Sequence, residues 1–170
     1  TDGRRAQVAF TDDWVEDAAR RDFTLNALYC DLDGSLYDPM EGFDDARAGR
    51  VRFVGDPDQR IEEDRLRILR FFRFHAWFGV DDLDAEGLAA CRAGASGLSD
   101  LSAERIRVET LRLLEAPDPA PILKIMREQK VLGVVLPEAS KFGRLGRLVE
   151  IENTLGRNDP VLRLGAVLAV

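Results

Sequence analysis

Apolar residues along the chain change their rhythm near residue 56. Before it they come in short runs: Gln7-Val8-Ala9-Phe10, then Leu25 to Cys30, then Ser35-Leu36-Tyr37-Asp38, then Arg50 to Gly55. Short alternating runs broken by turn residues read as strands. The two runs around Asp31-Leu32-Asp33-Gly34 predict a hairpin. Thr11 can cap a helix through Trp14, Val15 and Ala18. After residue 56 the spacing is helical throughout. Pro57 starts a short turn of helix, and a long helix is predicted from Glu62 to Phe78, ending at Gly79. Further helices are predicted over 84–93, from Asp100 or Ser102 to Leu114, from an Asp118-Pro119 start to Lys130, over 140–153, and from Val161 onward. There are no repeats and no low-complexity linker. The expected class is α+β, with divisions 1–55, 56–116 and 117–170.

The 62–78 helix carries an unusual pattern. Leu66, Ile68, Leu69, Phe71, Phe72, Phe74, Trp77 and Phe78 point in nearly every direction, as in a buried helix. Asp64, Arg67, Arg70 and Arg73 nevertheless recur at every third position, which places them on one slanting ridge. Charges among core-type residues require partners or a cleft. Two readings follow. The row is a partly exposed face paired with acids such as Glu62 and Glu63, or it lines a pocket for a base bearing a polyphosphate. A carboxylate only accepts hydrogen bonds and a guanidinium only donates them. Asp64 beside Arg67 can therefore meet the amino group and ring acceptor of adenine or cytosine. It opposes the carbonyl that guanine and uracil present instead. Arg70 and Arg73 suit phosphate contacts.

Composition narrows the picture. Of 170 residues, 45% are hydrophobic and 32% charged, ordinary for a soluble globular protein. No apolar run is long enough to span a bilayer. The start at Thr1 lacks the pattern of a signal peptide, and both ends read as cuts within a longer chain. Two unrelated cysteines, Cys30 and Cys91, and one histidine cannot build a Cys/His zinc site, and two free thiols fit a reducing, cytoplasmic setting. The net charge of −7 argues against a general nucleic-acid binder. Lysine, however, occurs only at 124, 130 and 141, so arginine makes up nearly all of the 24 basic residues. Arginine is the residue suited to forked recognition of phosphates and bases.

Glu63-Asp64-Arg65-Leu66-Arg67, followed by Arg70-Phe71-Phe72-Arg73-Phe74, resembles the EDxxR motif of class II CCA-adding tRNA nucleotidyltransferases and bacterial poly(A) polymerases. Arg20-Arg21-Asp22-Phe23-Thr24-Leu25-Asn26-Ala27 is similar to that family's RRDFTxNA motif. Asp33-Gly34, Tyr37-Asp38-Pro39, Gly42 and Val54-Gly55-Asp56-Pro57 lie between them in the family's order. Glu104-Arg105-Ile106 resembles its neck helix, and Leu136-Pro137-Glu138 a landmark of its body.

The resemblance implies the rear part of a nucleotidyltransferase head, then a helical neck and the start of a helical body. It implies a base template at Asp64 and Arg67, further nucleotide contacts at Arg70, Arg73 and Arg21, and Asp22 near the ribose. Glu63, Asn26 and Arg105 are expected in support, with Asn26 and Thr24 as structural caps. The implied reaction adds CMP and AMP from CTP and ATP to a tRNA 3′ end, with Mg²⁺. The metal-binding D-x-D strand of the family precedes the RRDFT motif, so it is expected outside this chain. Asp31-Leu32-Asp33 reads as turn chemistry. Rival expectations are a poly(A) polymerase using ATP alone, a non-catalytic nucleotide- or RNA-binding module, and a helical scaffold. The scaffold reading requires Arg67, Arg70 and Arg73 all to be ion-paired with no cleft beside them. The sequence is silent on oligomeric state.

Overall fold

The computed structural model describes residues 13–168. The expected strand at Gln7–Phe10 and the Thr11 cap lie outside them. The first helix, α1 (Trp14–Ala19), is capped by Asp13, whose Oδ1 accepts from the Val15 and Glu16 amides. A 3₁₀ turn (Thr24–Asn26) follows, then an antiparallel hairpin of β1 (Tyr29–Cys30) and β2 (Leu36–Tyr37). Tyr29 lies opposite Tyr37. The turn is made as Asp33-Gly34 predicts: Asp33 Oδ1 accepts from the Ser35 amide at 2.8 Å, and Gly34 has φ of +89°.

Two expectations for this region change. The strand over 50–55 reduces to a single bridge between Phe53 and Phe23. A helix not read from the sequence, α2 (Gly42–Ala48), follows the hairpin. The Asp38 carboxylate starts it by accepting from the Gly42 and Phe43 amides at 2.8 and 2.9 Å. Gly42 packs so closely on the 3₁₀ turn that a Cβ there would lie 2.1 Å from the Thr24 carbonyl oxygen.

The expected long helix over 62–78 is two helices. The first, α3 (Pro57–Glu63), starts as predicted, with Asp56 accepting from the Gln59 amide at 2.9 Å and proline in the first turn. It stops at Asp64, whose backbone is extended at φ −154° and ψ 106°. The second, α4 (Leu66–Phe78), begins two residues later. The cause is local: Asp64 Oδ1 accepts from the Leu66 amide at 3.1 Å, and an aspartate side chain that captures a nearby amide competes with the helical ladder. Asp64 is therefore not on the helical ridge of Arg67, Arg70 and Arg73. Nor is α4 buried on all sides. Leu66, Ile68, Leu69, Phe71 and Phe72 face the core, whereas Trp77 and Phe78 are exposed.

The remaining helices are α5 (Ala85–Gly94), α6 (Ala103–Leu114), α7 (Ala120–Glu128), the short α8 (Leu132–Val135), α9 (Phe142–Leu155) and α10 (Pro160–Val167). Ser102 caps α6 by accepting from the Arg105 amide. At α7, Pro119 itself takes the cap position, and Asp118 accepts from the Ala120 amide at 3.4 Å, a shift of one residue from the expected start.

One core crosses both expected divisions. Phe23 and Phe53 join Phe71 of α4, with the Phe53 and Phe71 rings stacked at 5.4 Å. The same core continues through Leu113 and Leu114 of α6 to Leu145, Val149 and Val167. Each such side chain contributes about 1.5–3 kcal/mol on burial, so α4 is held from both sides by apolar contact. That anchoring fixes the charged flank of α4 in place.

Candidate nucleotide-binding site

A cleft of about 380 Å³ opens where three parts of the chain meet. Arg20, Arg21, Asp22 and Asn26 enter from the segment after α1. Asp64, Leu66, Arg67 and Arg70 enter from the α3–α4 joint, and Arg105 from α6. Arg21 thus lines the same cleft as Asp64 and Arg67 across more than forty residues of sequence. Of the expected contacts, Arg73 does not line it. Arg73 faces an adjoining groove of about 320 Å³ with Leu25, Asn26, Phe74, Trp77 and Phe78. Its guanidinium lies over the Phe74 ring at 4.6 Å. Glu63 stands beside Arg67 without lining the cleft.

The cations are ordered by acids, most of them distant in sequence. Arg67 donates through Nη1 to Glu63 Oε2 at 2.6 Å and to the Arg60 carbonyl at 2.8 Å. Among the described residues, both bonds of Arg67 use Nη1, so Nη2 keeps its donors. Arg67 holds the Glu63 carboxyl below the usual range, with Arg60 adding to the effect. Arg70 donates to Asp22 Oδ2 at 2.6 Å. Asp22 is buried, and its other oxygen accepts from the Phe23 amide at 3.1 Å and from Asn26 Nδ2 at 3.0 Å. Asn26 therefore orients Asp22. The expected cap roles fail: Thr24 instead donates its hydroxyl to Asp45 at 2.7 Å, tying the 3₁₀ turn to α2. Arg73 pairs with buried Glu109 of α6 at 3.0 Å, and burial pushes its pKa down.

Arg20 and Arg21 share one carboxylate, Asp17, which also accepts from the Tyr29 hydroxyl at 2.7 Å. The Tyr29 hydrogen bond, then those of Arg21 and Arg20, hold Asp17 far below the usual carboxylate range. Asp64 has a different partner. Arg105 Nη2 donates to Asp64 Oδ1 at 3.0 Å and to Oδ2 at 2.7 Å. Both side chains remain partly exposed.

Sequence reasoning missed three supports. Buried Arg60 donates to Glu63 and, at 2.7 Å, to the Arg21 carbonyl, joining α3 to the RRD segment. Asp17 and Glu109 anchor arginines on either side. Asp17 was open to discovery, since it stands three and four residues before Arg20 and Arg21 at the end of a helix. Nothing in the sequence pairs Glu109 with Arg73. The condition for a scaffold splits: Arg67, Arg70 and Arg73 are all ion-paired, but a cleft lies beside the first two and a groove beside the third.

Among the described residues, no group of three or more His, Cys, Asp or Glu is placed to hold a metal ion. Asp31 and Asp33 turn their carboxylates to the Leu32 and Ser35 amides of the hairpin. No described helix is long and apolar enough to cross a membrane.

Comparison with known proteins bears on the family and the fold. The sequence profile of the "Poly A polymerase head domain" matches residues 1–52, and that of the "Probable RNA and SrmB-binding site of polymerase A" matches 82–142. The chain is 45% identical to mitochondrial CCA tRNA nucleotidyltransferase 1 of Danio rerio over 130 residues, covering 75% of this chain and 30% of that protein. It is 50% identical to the human protein of the same name over 117 residues, covering 67% and 27%. The chain thus spans about three tenths of the length of these relatives. Its structure resembles that of the Bacillus stearothermophilus CCA-adding enzyme in complex with CTP, with a TM-score of 0.73 at 33% identity over 83% of this chain and 35% of that one. It shares its fold with the Thermotoga maritima CCA-adding enzyme complexed with tRNA, at a TM-score of 0.72 and 22% identity over 87% and 38%. Two profiles in the right order, close relatives and a shared fold lead to one statement: the chain belongs to the tRNA nucleotidyltransferase and poly(A) polymerase family.

Proposed function

We propose that this chain is the nucleotide-selecting part of an RNA nucleotidyltransferase that adds CMP and AMP, from CTP and ATP, to the 3′ end of tRNA. The observation that carries the reading is the meeting of Asp64 and Arg67 in one cleft with the paired arginines Arg20 and Arg21. Asp64 offers acceptors and Arg67 Nη2 offers donors, the pattern complementary to the amino and ring-nitrogen edge of adenine or cytosine. Guanine and uracil would set a carbonyl against the carboxylate.

The arginines differ in what they can give a triphosphate. Arg70 faces Asp22 and Glu109, and Arg73 faces Glu109, so their charge is largely met within the protein. Arg20 and Arg21 have one carboxylate between them. They carry the unbalanced charge at the cleft mouth and are the better phosphate ligands, whereas Arg70 is held in place by Asp22. The described carboxylates offer no cluster for Mg²⁺, and the proposal gives them no part in holding it. The relatives are named CCA tRNA nucleotidyltransferases and the similar structures CCA-adding enzymes, which supports tRNA as the acceptor over an open-ended poly(A) tail.

The test uses the full-length protein with a tRNA lacking its end and each of the four nucleoside triphosphates. Short CCA ends are expected; long A tails would assign an ATP-only polymerase. In Asp64→Ala, the preference for ATP and CTP over GTP and UTP should fall roughly ten- to a hundredfold, the worth of a charge-assisted hydrogen bond. Full discrimination with a general loss of activity would make the cleft a phosphate or RNA clamp instead.

A further inference from the structure

The base-reading carboxylate sits at a partly exposed joint between two helices, where its own backbone does little to fix it. Asp64 is extended, and the torsion that turns a carboxylate is broad and two-fold. Free to turn, it would offer acceptors in several directions and read a base poorly. Yet its hydrogen bonds are definite. Each carboxylate oxygen has about two acceptor positions. On Oδ1 they are taken by the Leu66 amide at 3.1 Å and Arg105 Nη2 at 3.0 Å. On Oδ2 Arg105 Nη2 takes one at 2.7 Å. One position remains.

We infer that Arg105 is a positioning residue for base selection, gripping both oxygens of Asp64 so that a single acceptor position, on Oδ2, is left for the base. This rests on the reading of Asp64 and Arg67 as the base template. Arg105 is well placed for it because α6 is itself fixed against α4. Glu109, one turn further along α6, pairs with Arg73 at 3.0 Å, and the Arg112 carbonyl accepts from Trp77 Nε1 at 2.9 Å. The guanidinium thus reaches Asp64 from a rigid support 41 residues away in sequence. The pair is too exposed to matter much for folding, with side chains 43% and 34% accessible. Its consequence lies in the direction of the remaining lone pair.

The experiment compares Asp64→Ala, Arg105→Gln, Arg105→Lys and the double variant Asp64→Ala/Arg105→Gln in the full-length protein. The readout is kcat/KM with ATP, CTP, GTP and UTP, with melting temperature as the control for folding. Arg105→Gln is expected to raise GTP and UTP relative to ATP and CTP by roughly threefold to tenfold, with Arg105→Lys restoring part of the discrimination. In the Asp64→Ala background, Arg105→Gln should change the ratio no further, because it acts through that carboxylate. An equal loss with all four nucleotides would make Arg105 a phosphate contact and overturn the inference. So would additive effects in the double variant. Loss of discrimination in Asp64→Ala with Arg105→Gln unchanged refutes the inference but leaves the base template standing. Full discrimination in Asp64→Ala removes both.

Discussion

Arg163 of α10 and Arg67 of α4 are both arginines drawn into the protein by a glutamate, yet they end in opposite conditions. Arg163 is 1% exposed, and its donors are directed inward. Nε meets Glu152 at 2.5 Å, and Nη1 meets the Leu114 and Ala116 carbonyls at 2.7 Å each. Those carbonyls lie at the C-terminal end of α6, where helices leave acceptors unmatched and a cation is favoured. Arg67 is gripped by one nitrogen only, and its other end borders a cleft. Burial and ion pairing alone therefore do not mark an arginine as structural. The donors that Arg67 keeps beside open space are what its proposed role in nucleotide binding rests on.

The largest expected effect is at Arg163. Arg163→Ala strands a buried Glu152 carboxylate and two carbonyls, and should cost about 3–5 kcal/mol in chemical denaturation. A loss below about 1 kcal/mol would mean that the body arginine is as replaceable as a surface one, and the contrast would collapse. Arg67→Ala sharpens it from the other side. Its partner Glu63 is partly exposed and can turn to water, so stability should fall by only about 1 kcal/mol. Nucleotide affinity, read by ATP and CTP titration of the full-length protein, should fall at least tenfold. Stability and binding falling together would make Arg67 another structural arginine.

The smallest effect concerns the buried flank of α4. His75 is nearly buried, and burial holds its pKa below the usual 6.5. The unfolded chain then binds the proton more readily than the folded one. The stability due to neutral His75 is complete above about pH 6.5 and falls as pH drops toward the folded-state value. His75→Leu should flatten that part of the melting-temperature profile between about pH 7.5 and 5.5. An unchanged slope would show that protonation of His75 is not felt by the fold.

What the sequence made legible follows the range of the interactions involved. The Asp33-Gly34 turn, the Asp56-Pro57 helix start and the apolar face of α4 rest on neighbours in the chain, and periodicity exposes them. The break at Asp64 was also local. An aspartate two residues before an apolar helical run is a start signal, but the unbroken charge spacing through Asp64, Arg67, Arg70 and Arg73 masked it. Helix α2 was missed because Asp38 starts it across Pro39, Met40 and Glu41, a stretch that reads as turn. In the site, the residue types pointed to base recognition without the geometry. The partners that orient them, Asp22 for Arg70, Glu109 for Arg73 and Arg105 for Asp64, are between 36 and 48 residues apart. Such pairings are set by how α4 packs on α6 and on the RRD segment, which no local pattern encodes. The division of labour proposed between Arg20 with Arg21 and Arg70 with Arg73 was invisible for the same reason.

Gly42 shows how the geometry of the cleft can be lost through a residue that does not line it. The residue lies on α2, is not among the residues that line the cleft, and has the Thr24 carbonyl where a Cβ would have to go. Any larger residue there acts as a wedge under the 3₁₀ turn that carries Asn26, and Asn26 is the hydrogen-bond donor that steadies Asp22, which in turn steadies Arg70. A screen for loss of the proposed activity should therefore return Gly42 among its hits, and a map of those hits would show a second, false centre on α2, outside the residues that line the cleft.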